Sequence, residues 1–193
     1  ARFVTSLDRP GVYPGQGAPE IAMAGKSNVG KSSAINRIAR NGTLARVSGS
    51  PGKTRLLNIY AINSGALFWV DLPGYGFAKA PKSERDKWAG MIEGYLAGSE
   101  HLRHVMHFVD IRHEPTGEDK MMVDYLRHYQ IPFTVFAGKC DKLSRAAIHR
   151  AIPLICRALT VQPWQVIPFS AEDGTGVDKA LELFDKVLAE PAN

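Results

Sequence analysis

Hydrophobic positions along the chain follow two patterns: short apolar runs, and longer segments with one apolar face at helical spacing. The apolar runs predict strands over residues 20–24, 57–63, 67–70, 105–111, 132–137 and 165–169, with an additional edge strand at 2–5. The last segment has the clearest helical periodicity, with apolar residues at 177, 180, 181, 184, 187 and 188.

Helices are predicted between these strands. The first follows residue 30 and buries Ala34, Ile35 and Ile38. Two others have capping boxes, Ser83 with Asp86 and Thr116 with Asp119. Their predicted buried residues are Trp88, Met91, Ile92, Tyr95 and Leu96 in the first and Met121, Met122, Tyr125 and Leu126 in the second. A further helix starts at Ser144, and Pro153 is expected to kink or restart it.

Strands that alternate with helices predict an α/β fold in three layers, with helices on both faces of a mostly parallel six-stranded sheet. A hairpin turn at residues 63–65 adds one antiparallel edge strand. The 193 residues suit a single domain over 1–193. Residues 1–18, rich in glycine and proline, are expected to form an N-terminal arm.

Composition narrows the class of protein. Hydrophobic residues make up 45% of the chain and charged residues 22%, values typical of a globular protein. No apolar run approaches twenty residues and no signal peptide is recognisable, so we expect a soluble, cytoplasmic protein without a membrane partner. We also expect a monomer. Cys140 and Cys156 form no metal-binding pattern and indicate a reducing compartment. The net charge of +5 mildly favours an anionic partner such as RNA.

The strongest motif is a phosphate loop between the first core strand and its helix. Gly25, Gly30, Lys31 and Ser32 fit the pattern G-x-x-x-x-G-K-[ST]. The glycines allow a tight turn whose N–H groups meet one anion, the lysine reaches the β- and γ-phosphates, and the serine is a Mg²⁺ ligand. The competing interpretation is a glycine-rich turn that only connects a strand to a helix.

Loops after later strands carry matching residues. Asp71 and Gly74 form a D-x-x-G motif suited to Mg²⁺ and a γ-phosphate. Asp141 is predicted to accept the N1–H and N2–H₂ groups of guanine, with the stem of Lys139 over the ring. The backbone after Ser170 is predicted to meet the guanine O6. Each loop taken alone is also compatible with an ordinary polar turn.

The loop over residues 41–56 is long enough to suggest a function. A threonine there can complete the Mg²⁺ shell only when a γ-phosphate is present, which makes the loop a switch. Spacing leaves Thr43 and Thr54 as candidates. His104 and His107 are predicted to point to opposite faces of a strand, which argues against a metal cluster. Basic residues flank both presumed switches: Arg46, Lys53, Arg55, Lys79, Lys82, Arg85 and Lys87.

The wording of these motifs is more specific than a generic GTPase signature. It reads GKSNVGKSS at 25–33, PGKTR at 51–55, DLPGYGFA at 71–78 and VDIRH at 109–113. Over nearly the whole chain this resembles the EngB (YihA/YsxC) family of bacterial GTPases. The resemblance implies a Ras-like P-loop GTPase fold, Mg²⁺-dependent GTP and GDP binding, a role in assembly of the large ribosomal subunit, and a requirement for cell division and septation.

The resemblance also selects Thr54 over Thr43 and implies that Asn28 helps to hold a K⁺ ion. The alternative is that the ribosomal partner supplies the stabilising group. The predicted catalytic residues are Asn28, Lys31, Thr54 and Gly74, and the predicted metal ligands are Ser32, Thr54 and Asp71. The full nucleotide-binding set is Gly25, Lys26, Ser27, Asn28, Val29, Gly30, Lys31, Ser32, Ser33, Gly52, Lys53, Thr54, Arg55, Asp71, Leu72, Pro73, Gly74, Gly138, Lys139, Cys140, Asp141, Phe169, Ser170 and Ala171.

Two positions depart from the usual pattern. Gly138 stands where related GTPases carry Thr or Asn, which predicts a weaker tie between the base loop and the phosphate loop. Tyr75 stands where many carry the glutamine that orients water, which predicts slow unaided turnover and a ring free to swing outward. Two other functions remain open: a GTP-gated module acting on division machinery with negligible turnover, and a phosphate-loop kinase or ATPase, against which Asp141 argues.

Overall fold

The computed structural model describes residues 1–8, 17–46, 56–76 and 82–190. Its strands are β1 (Arg2–Leu7), β2 (Glu20–Gly25), β3 (Leu57–Ile62), β4 (Leu67–Asp71), β5 (Leu102–Asp110), β6 (Phe133–Gly138) and β7 (Val166–Pro168). Its helices are α1 (Lys31–Ile38), α2 (Lys82–Gly98), α3 (Gly117–His128), α4 (Arg145–Leu159) and α5 (Val177–Ala189).

The strands form one sheet in the order β1-β3-β4-β2-β5-β6-β7. The predicted mostly parallel α/β architecture is confirmed, and β3 alone runs against its neighbours. The sheet has seven strands rather than six because Arg2–Leu7 pairs with β3, so the antiparallel strand lies second from the edge. The turn at Asn63–Gly65 joins β3 to β4, as predicted.

Apolar side chains cover both faces of the sheet. One core forms where α1 and α5 pack on the sheet and contains Ile35, Trp69 and Phe184. On the other face the core contains residues of α2 and α3 together with residues of β2 to β5. The predicted residues Met91, Ile92, Tyr95 and Leu96 are buried there, whereas the side chain of Trp88 lies outside the described part of the chain.

The prediction that Met121 is buried was wrong, and the restart predicted at Pro153 does not occur. Met121 is 64% exposed, because α3 packs through Asp119, Met122, Val123 and Leu126, which lie one turn apart on a different face. Helix α4 continues through Pro153 to Leu159 without a restart. Pro153 lies on the exposed face, so the helical carbonyl that loses its donor faces water.

The helices of the described segments include none that is both long and apolar enough to cross a lipid bilayer.

Candidate nucleotide-binding site

The loops that carry the predicted motifs leave the carboxyl ends of β2, β4, β6 and β7, which lie in one sheet. In a parallel sheet this edge is where ligands bind. Direct contacts join the loops to one another: Lys31 to Asp71, Ser27 to Tyr75, Lys139 to Asn28 and Ser170 to Asp141. The fold therefore brings the predicted motifs together.

The phosphate loop has the backbone that its sequence requires. A Cβ added at Gly25 would lie 2.9 Å from the carbonyl oxygen of Phe108, so only glycine fits against β5. Gly30 caps α1 with φ at 106°, a left-handed conformation that favours glycine. Within the described residues, the N–H groups of Gly30, Lys31 and Ser32 have no acceptor. They are available to an anion at the positive end of α1.

The side chain of Lys31 is buried at the bottom of this loop. Its ammonium group forms an ion pair with Asp71, which is 2% exposed, and donates to the carbonyl oxygen of Leu72 at 2.7 Å. The pair connects the phosphate loop with the D-x-x-G motif at the end of β4. The charge of each group is balanced by the other, as burial demands.

The D-x-x-G loop lies directly against the phosphate loop. A Cβ added at Gly74 would lie 3.0 Å from the backbone nitrogen and Cα of Ser27, so a side chain here would require the phosphate loop to shift by a few tenths of an ångström. The next carbonyl, that of Tyr75, accepts a hydrogen bond from the N–H of Ser27 at 2.9 Å. The backbone of Gly74 is thereby fixed beside the phosphate loop.

The side chain of Tyr75 points into the protein. Its hydroxyl donates to Asp119 Oδ1 at 2.6 Å and lies 2.7 Å from His107 Nε2. The prediction of a ring free to swing outward was therefore wrong: the ring packs against the apolar core beneath α2 and α3, and its hydroxyl is satisfied there. The other carboxylate oxygen of Asp119 accepts from Thr116 and so caps α3, as predicted.

This network has a defined arrangement of protons. Because the single phenol proton is donated to Asp119, the Tyr75 oxygen accepts a hydrogen bond from the Nε2–H group of His107. Burial and the adjacent Asp119 carboxylate raise the pKa of Tyr75 well above its usual value. Burial alone would raise the pKa of Asp119, but hydrogen bonds from His107 and Tyr75 lower it below its usual value. The network joins an uncharged phenol to an ionised carboxylate.

Sequence reasoning missed this network. His107 is fully buried in β5, and its apolar neighbours in the chain gave no sign of a polar partner. The capping box at Thr116 was the available signal, since it placed a carboxylate at the start of α3. The predicted opposite orientations of the two histidines are confirmed: His107 faces α3, whereas His104 contacts Thr134 and lies near Lys186 of α5.

Lys139 links the base loop to the phosphate loop. Its ammonium group donates to the carbonyl oxygen of Asn28 at 2.9 Å and lies 3.0 Å from Asp110 Oδ2. Asp110 also accepts two hydrogen bonds from the guanidinium group of Arg112. Although burial acts to raise the pKa of Asp110, these cations hold it well below its usual range. A direct connection between the two loops therefore exists without a side chain at position 138.

Gly138 itself has space around it. A Cβ added there would lie 3.5 Å from the carbonyl oxygen of Val109 and 3.6 Å from that of Val29, both ordinary contacts. A hydroxyl or amide at this position would face the phosphate-loop carbonyl of Val29. Because position 138 has no side chain, this hydrogen bond between the base loop and the phosphate loop is not made.

Asp141 has the surroundings expected of a base-recognition carboxylate. The buried Ser170 hydroxyl donates to its Oδ1 at 2.8 Å, which fixes the carboxylate after β6 to the loop after β7. Hydrogen bonds from the Lys142 ammonium and from Ser170 lower its pKa. Within the described residues the N–H of Ala171 has no acceptor, which suits a contact with a carbonyl group of a base.

Phosphate-loop proteins that bind nucleoside triphosphates use a nucleotide-associated Mg²⁺ ion, and the residues present fit it. Asp71 supplies a carboxylate at the end of β4, and its contact with Lys31 brings it to the start of α1, where Ser32 supplies a hydroxyl. Carboxylate and hydroxyl oxygens are ligands that Mg²⁺ accepts. Gly52, Lys53, Thr54 and Arg55, predicted for the switch loop, lie outside the described residues. The rival Thr43 is exposed on a turn and bonds to Asn41.

Comparison with known proteins gives a consistent result. Residues 20–139 match the family model described as 50S ribosome-binding GTPase. A probable GTP-binding protein EngB from Exiguobacterium sp. is 46% identical over 191 residues, which cover 98% of this chain and 96% of that protein. Its counterpart from Listeria welshimeri is 47% identical over 179 residues, covering 92% of each.

Solved structures share the fold. A crystal structure of a probable GTP-binding protein engB matches with a TM-score of 0.70 and 26% identity, over 89% of this chain and all of that chain. A variant of Aquifex aeolicus Era bound to GDP·AlF4⁻ matches with a TM-score of 0.71 and 22% identity, over 90% of this chain and 58% of that one. The second likeness is one of fold only.

Proposed function

The chain belongs to the EngB family of GTP-binding proteins and is a GTP-hydrolysing enzyme, and we propose that it acts as a slow, GTP-operated switch in assembly of the large ribosomal subunit. The observation that carries the proposal is the joining of four motif loops at one sheet edge, where the Ser170 hydroxyl holds the Asp141 carboxylate. The description of the matching family as ribosome-binding supports the choice of partner.

In the proposed nucleotide complex, the free N–H groups of Gly30, Lys31 and Ser32 hold the phosphates. Lys31 exchanges its contact with Asp71 for the β- and γ-phosphates. The fixed backbone of Gly74 offers its N–H to the γ-phosphate. A bound Mg²⁺, held by Ser32, Asp71 and Thr54, supplies neutralisation of phosphate charge.

We expect slow unaided hydrolysis. Tyr75 is the first side chain after Gly74, and its hydroxyl is engaged by Asp119 on the side of α3. Tyr75 is therefore not available to orient the water that attacks the γ-phosphate. Turnover in the range of unstimulated GTPases, about 10⁻⁴ s⁻¹ or below, follows from this arrangement. Asn28 is proposed to hold K⁺ at the phosphates as a partial replacement.

One contact of the site supports a dependence of docking on the bound nucleotide. The ion pair between Lys31 and Asp71 connects the phosphate loop with the D-x-x-G motif, and a bound γ-phosphate would contact both motifs. We therefore expect the position of the D-x-x-G loop to depend on the bound nucleotide. Arg46 is exposed at the start of the first switch loop and suits an RNA-facing surface. We propose that residues 1–193 work as one cytoplasmic, monomeric GTPase domain.

The test is sedimentation of the chain with purified large ribosomal subunits in the presence of GDP or a non-hydrolysable GTP analogue. The proposal predicts that a clearly larger share of the chain sediments with the subunits in the analogue than with GDP. Equal sedimentation in both nucleotides, or none in either, would overturn it. An Asp71→Asn variant, which loses the charge at the D-x-x-G motif, is the matched control and should not respond to the nucleotide.

A second function, direct GTP-gated binding to division machinery with negligible turnover, is distinguished by the same preparation. It predicts no subunit sedimentation in either nucleotide and a septation defect without accumulation of immature large subunits.

A further inference from the structure

Helix α4 exposes a face with one sign of charge. Its exposed positions lie in two rows at a spacing of four residues. The rows contain Arg145, Ala146, His149, Arg150, Pro153, Leu154 and Arg157. Between residues 145 and 159 the sequence has no Asp or Glu. Among the described residues, the guanidinium groups of the three arginines have no hydrogen-bond or ion-pair partner.

An exposed aromatic ring stands at the end of this helix. Trp164 is 78% exposed, the largest exposed fraction among the large apolar side chains that the described residues contain. Leu154, on the outer face of α4, is 56% exposed. Because the Trp164 ring is largely in water, the folded protein does not gain the free energy that burial of the ring would provide. An aromatic side chain exposed to this extent is typical of a contact surface.

The backbone turn that carries Trp164 is braced by hydrogen bonds. Trp164 lies in the 3₁₀ turn Pro163–Gln165, where Gln162 and Gln165 close a reciprocal pair of hydrogen bonds around it. Arg127 of α3 donates to the last carbonyl groups of α4, including that of Leu159 at 2.8 Å. The backbone position of Trp164 is thus fixed before a partner binds, so the turn loses little freedom on binding.

We propose that the outer face of α4 and Trp164 form a second RNA-binding surface, on which an unpaired base stacks on Trp164 while its flanking phosphates meet Arg150 and Arg157. Cations that track a backbone next to an exposed aromatic ring are the usual composition of sites for single-stranded nucleic acid. A positively charged face without acidic residues is better suited to the phosphate backbone of RNA than to an average protein surface. The inference rests on the proposed ribosomal role for its biological setting.

The surface lies away from the nucleotide. Trp164 precedes β7, at the amino-terminal edge of the sheet, whereas the motif loops follow the carboxyl ends of the strands. Helix α4 starts near Asp141 and runs to this opposite edge, and residues 145 and 157 are separated by about 18 Å along it. RNA binding at this surface should therefore be the same with GDP and with a GTP analogue, unlike binding through the switches.

The test measures fluorescence anisotropy of a labelled twelve-nucleotide oligouridylate with the full chain. The wild type should bind equally in the two nucleotides and bind a duplex RNA of the same length more weakly. Trp164→Ala should weaken binding about tenfold, because one stacked base is lost. Trp164→Phe should retain most of the affinity. Met121→Ala, which removes another exposed apolar side chain, is the control and should change nothing.

The arginines are tested through salt dependence. The double variant Arg150→Gln and Arg157→Gln should make the slope of log K against log salt concentration less negative by about 1.4, since each lost phosphate contact on a single strand accounts for about 0.7. Lys179→Gln with Lys186→Gln removes the same two charges from α5 and should leave the slope unchanged. GTP hydrolysis should be unaffected in both double variants.

Two results would overturn the inference. In one, Trp164→Ala binds the oligonucleotide as the wild type does. In the other, Trp164→Ala loses sedimentation with subunits but keeps RNA binding, which would assign this face to a ribosomal protein. Failure of the wild type to sediment with subunits would instead count against the proposed function, and it would leave the oligonucleotide result standing.

Discussion

The hydroxyl of Tyr75 lies 2.6 Å from Asp119 Oδ1, which joins the loop after β4 to the first turn of α3. The bond directs the side chain that follows Gly74 toward the interior, where His107 also contacts it. A position that orients water in many GTPases is therefore used here to hold two elements together.

Replacing Tyr75 with Phe tests this assignment. The variant leaves Asp119 and His107 without a shared partner in a buried site, so the free energy of unfolding should fall by about 1–3 kcal/mol. Single-turnover GTP hydrolysis should stay close to the wild-type rate. Urea unfolding and a phosphate-release assay measure the two quantities.

Tyr129→Phe is the matched control, because within the described residues the hydroxyl of Tyr129 makes no hydrogen bond. It should change stability by less than about 0.5 kcal/mol. A Tyr75→Phe protein of normal stability but greatly reduced hydrolysis would show that the phenol acts in catalysis instead.

The framework of the site could be predicted from the sequence because its parts are local. A phosphate loop needs glycine at two positions, a lysine and a hydroxyl, and all four residues lie within eight positions of the chain. The loops that follow strands share an edge in any parallel sheet, which placed Asp71 and Asp141 together in advance. The hairpin turn gave the pairing of β3 with β4, whereas the pairing of β1 with β3 joins residues distant in the chain and was not predicted.

Contacts between side chains on distant elements could not be predicted. Nothing near Tyr75 in the chain indicates that its ring turns toward His107, 32 positions away. Likewise, the absent side chain at Gly138 suggested a weak link between loops, while Lys139 makes a direct contact with Asn28. Such contacts depend on the final packing.

Restoring a side chain at Gly138 should strengthen nucleotide binding. The position accepts a Cβ without displacement of its neighbours, and a threonine hydroxyl there would face the carbonyl oxygen of Val29. One added hydrogen bond of about 1 kcal/mol corresponds to roughly a fivefold lower Kd for GDP. Gly138→Ala adds the Cβ without the donor. Titration with a fluorescent GDP analogue should show tighter binding for Thr alone, and equal affinity in both variants would refute the explanation.

Stability should rise as the pH increases from about 4 to about 6.5. Burial, with a further contribution from Lys186, lowers the pKa of His104 to about 4. In this window the unfolded chain binds a proton that the folded protein does not, so raising the pH favours folding until the unfolded histidine is also neutral. The effect is of the order of 1–3 kcal/mol.

The measurement is urea unfolding at several pH values between 4 and 8. His104→Gln retains a polar partner for Thr134 and should reduce the dependence on pH in that window. If the free energy of unfolding of His104→Gln depends on pH as strongly as that of the wild type, groups other than His104 cause the dependence.

GTP hydrolysis should be faster in K⁺ than in Na⁺ if Asn28 holds a cation at the phosphates. We expect about a tenfold difference, equivalent to roughly 1.4 kcal/mol of transition-state stabilisation. Asn28 has φ at 63°, so Asn28→Gly removes the side chain without straining the loop, and Asn28→Ala adds the strain. The proposal fails if both salts give one rate and both variants behave like the wild type.

The most direct test of the account is calorimetric titration of the chain with GDP, ADP and XDP, repeated with Asp141→Asn. The wild type should bind GDP and show no measurable binding of ADP, because the ionised carboxylate pairs with the two N–H groups of guanine. In the variant, GDP affinity should fall by about a hundredfold, the loss of two charge-assisted hydrogen bonds, and XDP should become the preferred ligand. Equal binding of GDP and ADP by the wild type, or unchanged GDP binding by Asp141→Asn, would contradict the assignment of this site.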